Sequence, residues 1–464
     1  MKSMTNPLAP QTEPPGSLIA AAAAHYQAGQ LVDAESAYRA ALALAPDDPA
    51  IMHNLGVIAA ARGDEKSAIA LFDSVLARQP RYVSAHYNRA LALLAVGETN
   101  AAREGLRRTC AIEPGHYEAH RALGFLWLAQ GETGRALDHF ARTYELRRGD
   151  DRSGLAQTSL THATRDKLLH DAEQFRYLAA RSRNAEIFNA LSRAYAEVSE
   201  EIPEQSIKLS DRQAAMLGAD YNTPISIRDA PELAGPAVNK RPDRDALVHG
   251  FRDGRAGAVF FDDLLTPDAL QRLRSYLLES TIWHDFSHIE GFVASYIEDG
   301  LACPLILQIA DEIRRNFPEL LGAHPLSQAW AFKGLRSASA VDIHADDGAV
   351  SVNFWITPTA ANLDPAGGGL VVSLVPPPAD WRIEGYEADQ KRIVSFLEQN
   401  PQASLKVPYR ENRAVLFESR LFHWSETPKF AAGYENHRIN LTFLYGRQGQ
   451  PRLPPKLREA PTVL

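Results

Sequence analysis

His344 and Asp346 stand two residues apart in VDIHADDGAVSVNFWITP, so on an extended chain their side chains project to the same side. A second histidine, His423, follows 79 residues later in LFESRLFHWSETP, where it reads as the end of an apolar strand. Two imidazoles and one carboxylate on one face of a metal leave adjacent positions open, which suits non-haem iron(II) and dioxygen chemistry. A lone His-x-Asp is a weak signal and is common in surface turns; its weight comes from the distal histidine and the strand context. Asp347 should point away from Asp346 and is not expected to be a ligand. His284, His288 and His324 have no matched carboxylate on a strand and read as structural or exposed. His162 and His170, eight residues apart, could share a helical face two turns apart, too far for one ion, and read as solvated or core-edge residues.

Such a site needs rigid extended elements around it, and the sequence supplies them. WAFKGL, VSVNFWI, GGLVVSLV, AVLFES and RINLTFLYG are rich in β-branched and aromatic residues and lie between Gly, Pro, Asp and Asn clusters. Many short strands without intervening long helices suggest a sandwich or barrel, the jelly roll being one solution. Before them, AVFFDDLLTPDALQRLRSYLLES reads as a short strand and then a helix opened by Thr266 and Pro267. Along RINLTFLYG, Arg438, Asn440 and Thr442 share one face and Ile439, Leu441 and Phe443 the other; an inward guanidinium needs an anionic partner.

These residues resemble the 2-oxoglutarate- and iron(II)-dependent oxygenase superfamily over about residues 250 to 450, through His344, Asp346, His423 and a basic residue shortly after it. The resemblance implies a double-stranded β-helix (jelly-roll) domain, Fe(II) held by those three side chains, and 2-oxoglutarate and dioxygen as cosubstrates. It also implies that the second carboxylate of 2-oxoglutarate is anchored by Arg438, 15 residues after His423, with Lys333 of WAFKGL as the other candidate. Asn353 and Trp355 either line the cosubstrate pocket or belong to the core, and Gly367, Gly368 and Gly369 either serve the site or make a plain turn. The implied activity is that of a dioxygenase, by default a hydroxylase. The rival readings are a cupin-like metalloenzyme that does not use 2-oxoglutarate and a non-catalytic adaptor with a degenerate jelly-roll domain.

The first third repeats with a period of 34. Glycine recurs at Gly29, Gly63, Gly97 and Gly131, alanine at Ala34, Ala68, Ala102 and Ala136, and a bulky residue at Tyr38, Phe72, Leu106 and Phe140. Small residues recur at Ala22, Gly56, Ala90 and Gly124, and proline at Pro46, Pro80 and Pro114. The small residue lets two helices approach, the glycine leaves the first helix through a left-handed conformation, and the proline stops the second. The pattern closely resembles the tetratricopeptide repeat, with LGVIAAARGDEKSAIALFDSVLARQP the cleanest copy. Arg148 replaces the proline in the fourth copy, suggesting that its helix continues. Such stacks expose a concave groove, implying a protein or peptide partner.

At 464 residues the chain exceeds what one core fills, so several domains are expected. The expected organisation is multidomain α + β: a disordered lead at 1–14, four repeats of an α-solenoid at 15–150, a helical extension and linker at 151–245 that extends or caps the solenoid, the jelly roll at 246–450, and a tail at 451–464. Hydrophobic residues are 45% and charged residues 23%, the balance of a globular protein. A net charge of −8 without a dominant block offers no footprint for nucleic acid or an anionic membrane. Cys110 and Cys303 are too few and too far apart for a disulfide framework or thiolate site, and with no apolar run of about 18 residues or secretory h-region the reading is cytoplasmic.

Overall fold

The computed structural model describes residues 14–149, 158–241, 243–253, 257–286, 290–335, 340–378, 381, 390–400 and 404–446. The tail at 451–464, the lead up to residue 13 and His288 lie outside them. Contacts group Met1–Leu123 into one compact unit and Gly124–Gly449 into another, so the division falls inside the fourth repeat and not at residue 150.

In the first unit, helix pairs follow the 34-residue period: α1 (Pro15–Gln27) with α2 (Leu31–Leu44), α3 (Pro49–Ala61) with α4 (Glu65–Arg78), and α5 (Val83–Ala95) with α6 (Thr99–Ile112). Each pair turns at a glycine with positive φ, +75° at Gly29, +80° at Gly63 and +85° at Gly97, which an L side chain rarely adopts. The columns pack as their sizes demand. A Cβ on Gly56 would stand 2.6 Å from the Phe72 ring, so the glycine is the space that the phenylalanine fills. In the next repeat Leu106 replaces phenylalanine and alanine is tolerated at Ala90. The last pair, α7 (Tyr117–Ala129) and α8 (Thr133–Arg148), repeats the first solution, with Gly124 against Phe140 at 2.6 Å.

In the second unit α8 ends at Arg148 instead of running on, and the residue in the proline column has a task of its own. Arg148 is 1% exposed and grips Asp299 through Nε to Oδ1 at 2.9 Å and Nη2 to Oδ2 at 2.7 Å. Asp299 lies in the tight turn Ile297–Leu301, where Gly300 has φ +105°. Short helix α9 (Thr158–Thr161) and a ribbon of β1 (His162–Ala163) and β2 (Ile207–Lys208) lead into α10 (Arg165–Ala179) and α11 (Ala185–Glu201), followed by α12 (Asp211–Leu217) and α13 (Arg244–Asp253). Leu168, Phe175, Phe188, Tyr195 and Val198 make the core between α10 and α11. These helices are integral to the β-rich unit and do not simply cap a solenoid: Gln174 of α10 donates to the carbonyls of Leu278 and Ser280 at 3.2 and 2.9 Å.

The β-rich part holds β3 (Ala258–Phe261), α14 (Pro267–Glu279), β4 (Phe292–Tyr296), α15 (Pro304–Asn316), α16 (Pro318–Leu321), β5 (Leu326–Gly334), β6 (Val350–Trp355), β7 (Leu370–Ser373), α17 (Gln390–Gln399), β8 (Ser404–Val407), β9 (Ala414–Glu418), β10 (His423–Ser425) and β11 (Arg438–Tyr445). All five expected strands form, and Thr266 caps α14 by accepting from the Ala269 amide. Helices α15 and α17 interrupt the strands, contrary to the all-strand expectation. One antiparallel sheet runs β3-β9-β6-β11-β5-β4 and a second runs β10-β7-β8. Trp355, Val415 and Phe417 of the first pack with Leu370, Val372 and Val407 of the second, so the sheets share a core.

Burial opposes ionisation of Asp299, but the guanidiniums of Arg148 and Arg147 outweigh it and hold the carboxyl below its usual range. Its stabilising contribution is therefore complete above the unfolded value, near about 4, and is lost as the pH falls through that value and below. Arg148→Ala, which leaves a buried unpaired carboxylate, is expected to cost about 3–5 kcal/mol in chemical denaturation at neutral pH. Asp299→Ala in the same background should recover part of the loss, and a single-variant loss under about 1 kcal/mol would show that the pair does not hold the turn.

Candidate metal centre

The two halves of the His-x-Asp…His constellation meet through one backbone bridge. His344 N donates to His423 O at 3.1 Å and His423 N donates to His344 O at 2.8 Å, an antiparallel hydrogen-bonded pair that sets both side chains on one face. His423 thus begins β10 and does not end an apolar strand; that strand, β9, stops at Glu418 and the chain turns before the histidine. Asp346 is held beside them by its amide, which donates to Ser419 O at 2.9 Å.

The ligand atoms converge. His423 Nε2 lies 3.5 Å from Asp346 Oδ2 and His344 Nε2 lies 3.8 Å from Asp346 Oδ1, and the imidazole centroids are 4.2 Å apart. One donor atom from each of the three falls within 4.8 Å of the others. Nδ1 of His344 faces Asp342 O at 2.7 Å and Nδ1 of His423 faces Leu421 O at 2.9 Å. A carbonyl can only accept, so both Nδ1 atoms carry the proton and both Nε2 lone pairs point at the centre, as metal-bound histidines require. Burial, with the His344 ring beside it, pushes His423 down to about 4, so this imidazole is neutral at physiological pH. Ser351 Oγ lies 2.8 Å from Asp346 Oδ2 and 2.8 Å from Ser419 Oγ, which directs one carboxylate oxygen and leaves the other toward His344. Two imidazoles and a braced carboxylate fit a divalent ion of intermediate hardness. Asp347 is exposed and outside the cluster, and burial pushes both Cys110 and Cys303 up to about 12, so neither thiol competes as a ligand.

The three side chains sit at a cavity of about 730 Å³ lined also by Asn353, Trp355, Arg438, Asn440 and Thr442, within the size range of small-molecule sites. Arg438 is 4% exposed, and burial lowers it to about 10. Its Nε donates to Gly368 O at 2.8 Å and Nη1 to Asn440 Oδ1 at 3.4 Å; among the described residues no carboxylate pairs with it. The glycine run serves this contact: Gly368 adopts φ +75°, and a Cβ on Gly369 would strike Val407 O at 2.0 Å. Asn353 is 7% exposed and its Oδ1 has no hydrogen-bond partner among the described residues.

Lys333 does not reach this cavity. Trp330 and Phe332 of β5 line it, and strand alternation sends Lys333 to the opposite face. There its Nζ, fully buried, meets Tyr434 Oη at 2.9 Å and His170 Nε2 at 3.2 Å. His170, expected at a core edge, is 2% exposed and bonded to Asp171 at 2.9 Å, and His162 lies in β1, not on the same helix. His284 is structural as expected, buried between Tyr144 and Asn222. The sequence gives no sign of Ser419, and for Ser351 only the i+5 spacing from Asp346 hints at contact.

Tetratricopeptide repeat models match residues 25–94 and 87–151, so the N-terminal region carries this repeat. Among solved structures, a double mutant of RS-1 MamA is 22% identical over 31% of this chain and 80% of that one, with a TM-score of 0.28. A Thermobaculum terrenum O-GlcNAc transferase mutant is 26% identical over 30% of this chain and 28% of that one, TM-score 0.26. The first TPR of Spaghetti bound to an HSP90 peptide is 18% identical over 26% and 96%, TM-score 0.25. No curated protein matches the chain. Among the described residues no helix is long and apolar enough to cross a membrane.

Titrating the metal-free chain with Fe(II) or Co(II) under argon should show one site per chain. Asp346→Ala should abolish it, Ser351→Ala should weaken it by about 10- to 100-fold, and Asp347→Ala should leave it intact. Binding retained in Asp346→Ala would place the ion elsewhere.

Proposed function

We propose that the second unit is an iron(II)- and 2-oxoglutarate-dependent dioxygenase built on a double-stranded β-helix, by default a hydroxylase. The tetratricopeptide helices would recruit a polypeptide substrate or partner, and the setting would be cytoplasmic. One observation carries this reading: His344, Asp346 and His423 converge beside a cavity whose wall holds a buried guanidinium that no carboxylate among the described residues pairs with. A buried charge in that state calls for an anionic ligand, and the planar fork of arginine matches a carboxylate.

His344, Asp346 and His423 would hold the iron, leaving adjacent positions open. When bound, iron and 2-oxoglutarate would supply the activation of dioxygen, the cosubstrate giving up electrons to it together with the substrate C–H bond that is oxidised. The chain's own work is positional. The Nδ1 bonds to Asp342 O and Leu421 O lock the imidazole tautomers, and Ser351 fixes the Asp346 carboxylate. Arg438 would neutralise the far carboxylate of the cosubstrate, its Nε tethered to Gly368 O so that little side-chain freedom is lost on binding. Trp355 and Leu370 keep that end of the cavity dry, which strengthens the charge pairing. Asn353 is a further candidate contact for the cosubstrate.

Anaerobic addition of Fe(II) and 2-oxoglutarate should produce a weak visible charge-transfer band. Arg438→Met should raise the 2-oxoglutarate concentration needed by about tenfold or more, and His423→Ala should remove the band. With air admitted, labelled 2-oxoglutarate should release carbon dioxide and leave succinate. Absence of the band in metal-loaded protein, or indifference to Arg438→Met, would contradict the proposal.

A further inference from the structure

The residues joined directly to the candidate ligands belong to a small core of their own. Ala345, between His344 and Asp346, is 2% exposed, Phe422, just before His423, is fully buried, and both pack against Ile393 of α17. Ile343, Phe396, Leu397 and Trp381 close around them, and among the described residues this cluster takes nothing from the strands of either sheet. The rings of Phe396 and Trp381 meet the Phe422 ring edge-on, with centroids 6.0 and 6.3 Å away. At the start of the helix Gln390 Nε2 donates to Ile343 O at 2.7 Å, beside His344, and Gln390 also lines the cavity.

Helix and ligand segments depend on each other. In QKRIVSFLEQ the residues Ile393, Phe396 and Leu397 fall at i, i+3 and i+4 and form one stripe, while Val394 beside it is 38% exposed. Isolated helices shorter than about 12 to 15 residues are marginal in water. With 10 residues, α17 is helical because it is docked, and Ile393 is its one buried residue. The ligand segments are also short of support on this side. His344 and His423 meet in an isolated bridge and not in a ladder. Such a bridge decides which side chains oppose one another, but a metal asks for ligands held within about 0.5 Å, which takes packing as well. Ile393, set against Ala345 and Phe422 together, packs on both segments at once.

We propose that α17 is a positioning element of the metal centre, with Ile393 its main contact: docking of the helix on Ala345 and Phe422 holds His344, Asp346 and His423 at the spacing that binds the ion. This inference rests on the metal-binding part of the oxygenase reading. Linkage makes the effect reciprocal, because the factor by which docking raises metal affinity is also the factor by which the ion favours docking. Loading of the site is then felt as the tightening of a helix whose other side faces solvent.

The test uses the full chain, with Co(II) as the probe. In the unaltered chain, amide hydrogen exchange over residues 390–399 should slow by about tenfold or more when Co(II) is added, and Asp346→Ala should remove that slowing. Ile393→Ala should weaken Co(II) binding by the same factor, Ile393→Val should restore most of the affinity, and Val394→Ala should match the unaltered chain. Chemical denaturation of the same samples separates positioning from packing alone. A helix that only packs would lose stability in Ile393→Ala while the folded chain kept its Co(II) affinity and α17 exchanged at the same rate with and without metal; that result overturns the proposal. Should Ile393→Ala fail to fold, the exchange of α17 in the unaltered chain decides by itself. A chain that takes up no Co(II) contradicts the metal centre and this inference with it, whereas Co(II) bound through Asp346 with the exchange of α17 unchanged overturns this inference alone.

Discussion

The bridge between His344 and His423 is the constraint on which the rest of the site depends. Each residue donates one backbone hydrogen bond to the other, and this exchange brings together two segments 79 residues apart in sequence. Antiparallel pairing places directly opposed side chains on one face at close range, so the imidazoles need no further device to meet. What the remainder of the domain supplies is rigidity. β10 continues from His423 into pairing with β7, and the Asp346 amide is tied to Ser419 just beyond β9, so each candidate ligand is fixed by backbone and not by rotamer alone.

The large sheet separates two polar environments of opposite purpose. On its cavity face Arg438 is desolvated and, among the described residues, bonded only to a carbonyl and an amide oxygen, a state that favours an incoming anion. On the other face Lys333 is equally buried, but Tyr434, His170 and the ring of Trp283 surround it, and burial lowers its pKa well below the ordinary lysine value. The second arrangement closes on itself and, with Asp171 and Lys167 adjoining, ties α10 to the sheet. Two inward-pointing bases on neighbouring strands thus differ in function because one network is complete and the other is open.

How much of this could be read in the sequence follows from the range of the interactions involved. The 34-residue period exposed the helix pairs because each column answers a local demand, such as positive φ at Gly63 or space for Phe72 at Gly56. His344, Asp346 and His423 were recognisable as residue types, and the strand around Arg438 was clear from alternation. Lys333 as a possible anchor was a matter of parity: WAFKGL alternates, but which face meets the cavity is set by pairing with β11 and β4. β4, β8 and β10 were missed because FVASY, SLKV and HWS are short and acquire their extended form from neighbours. Arg148 was visible as a departure from the proline column, yet its partner Asp299 lies 151 residues away, beyond any local signal.

Whether one iron takes two imidazoles and a carboxylate from this chain, as proposed, is read most directly by X-ray absorption at the iron edge of the Fe(II)-loaded protein. The spectrum should show the multiple-scattering signature of two imidazoles per iron, falling to one in His423→Ala and unchanged in His284→Ala. A spectrum without imidazole scattering, or one that His423→Ala does not alter, would contradict the claim.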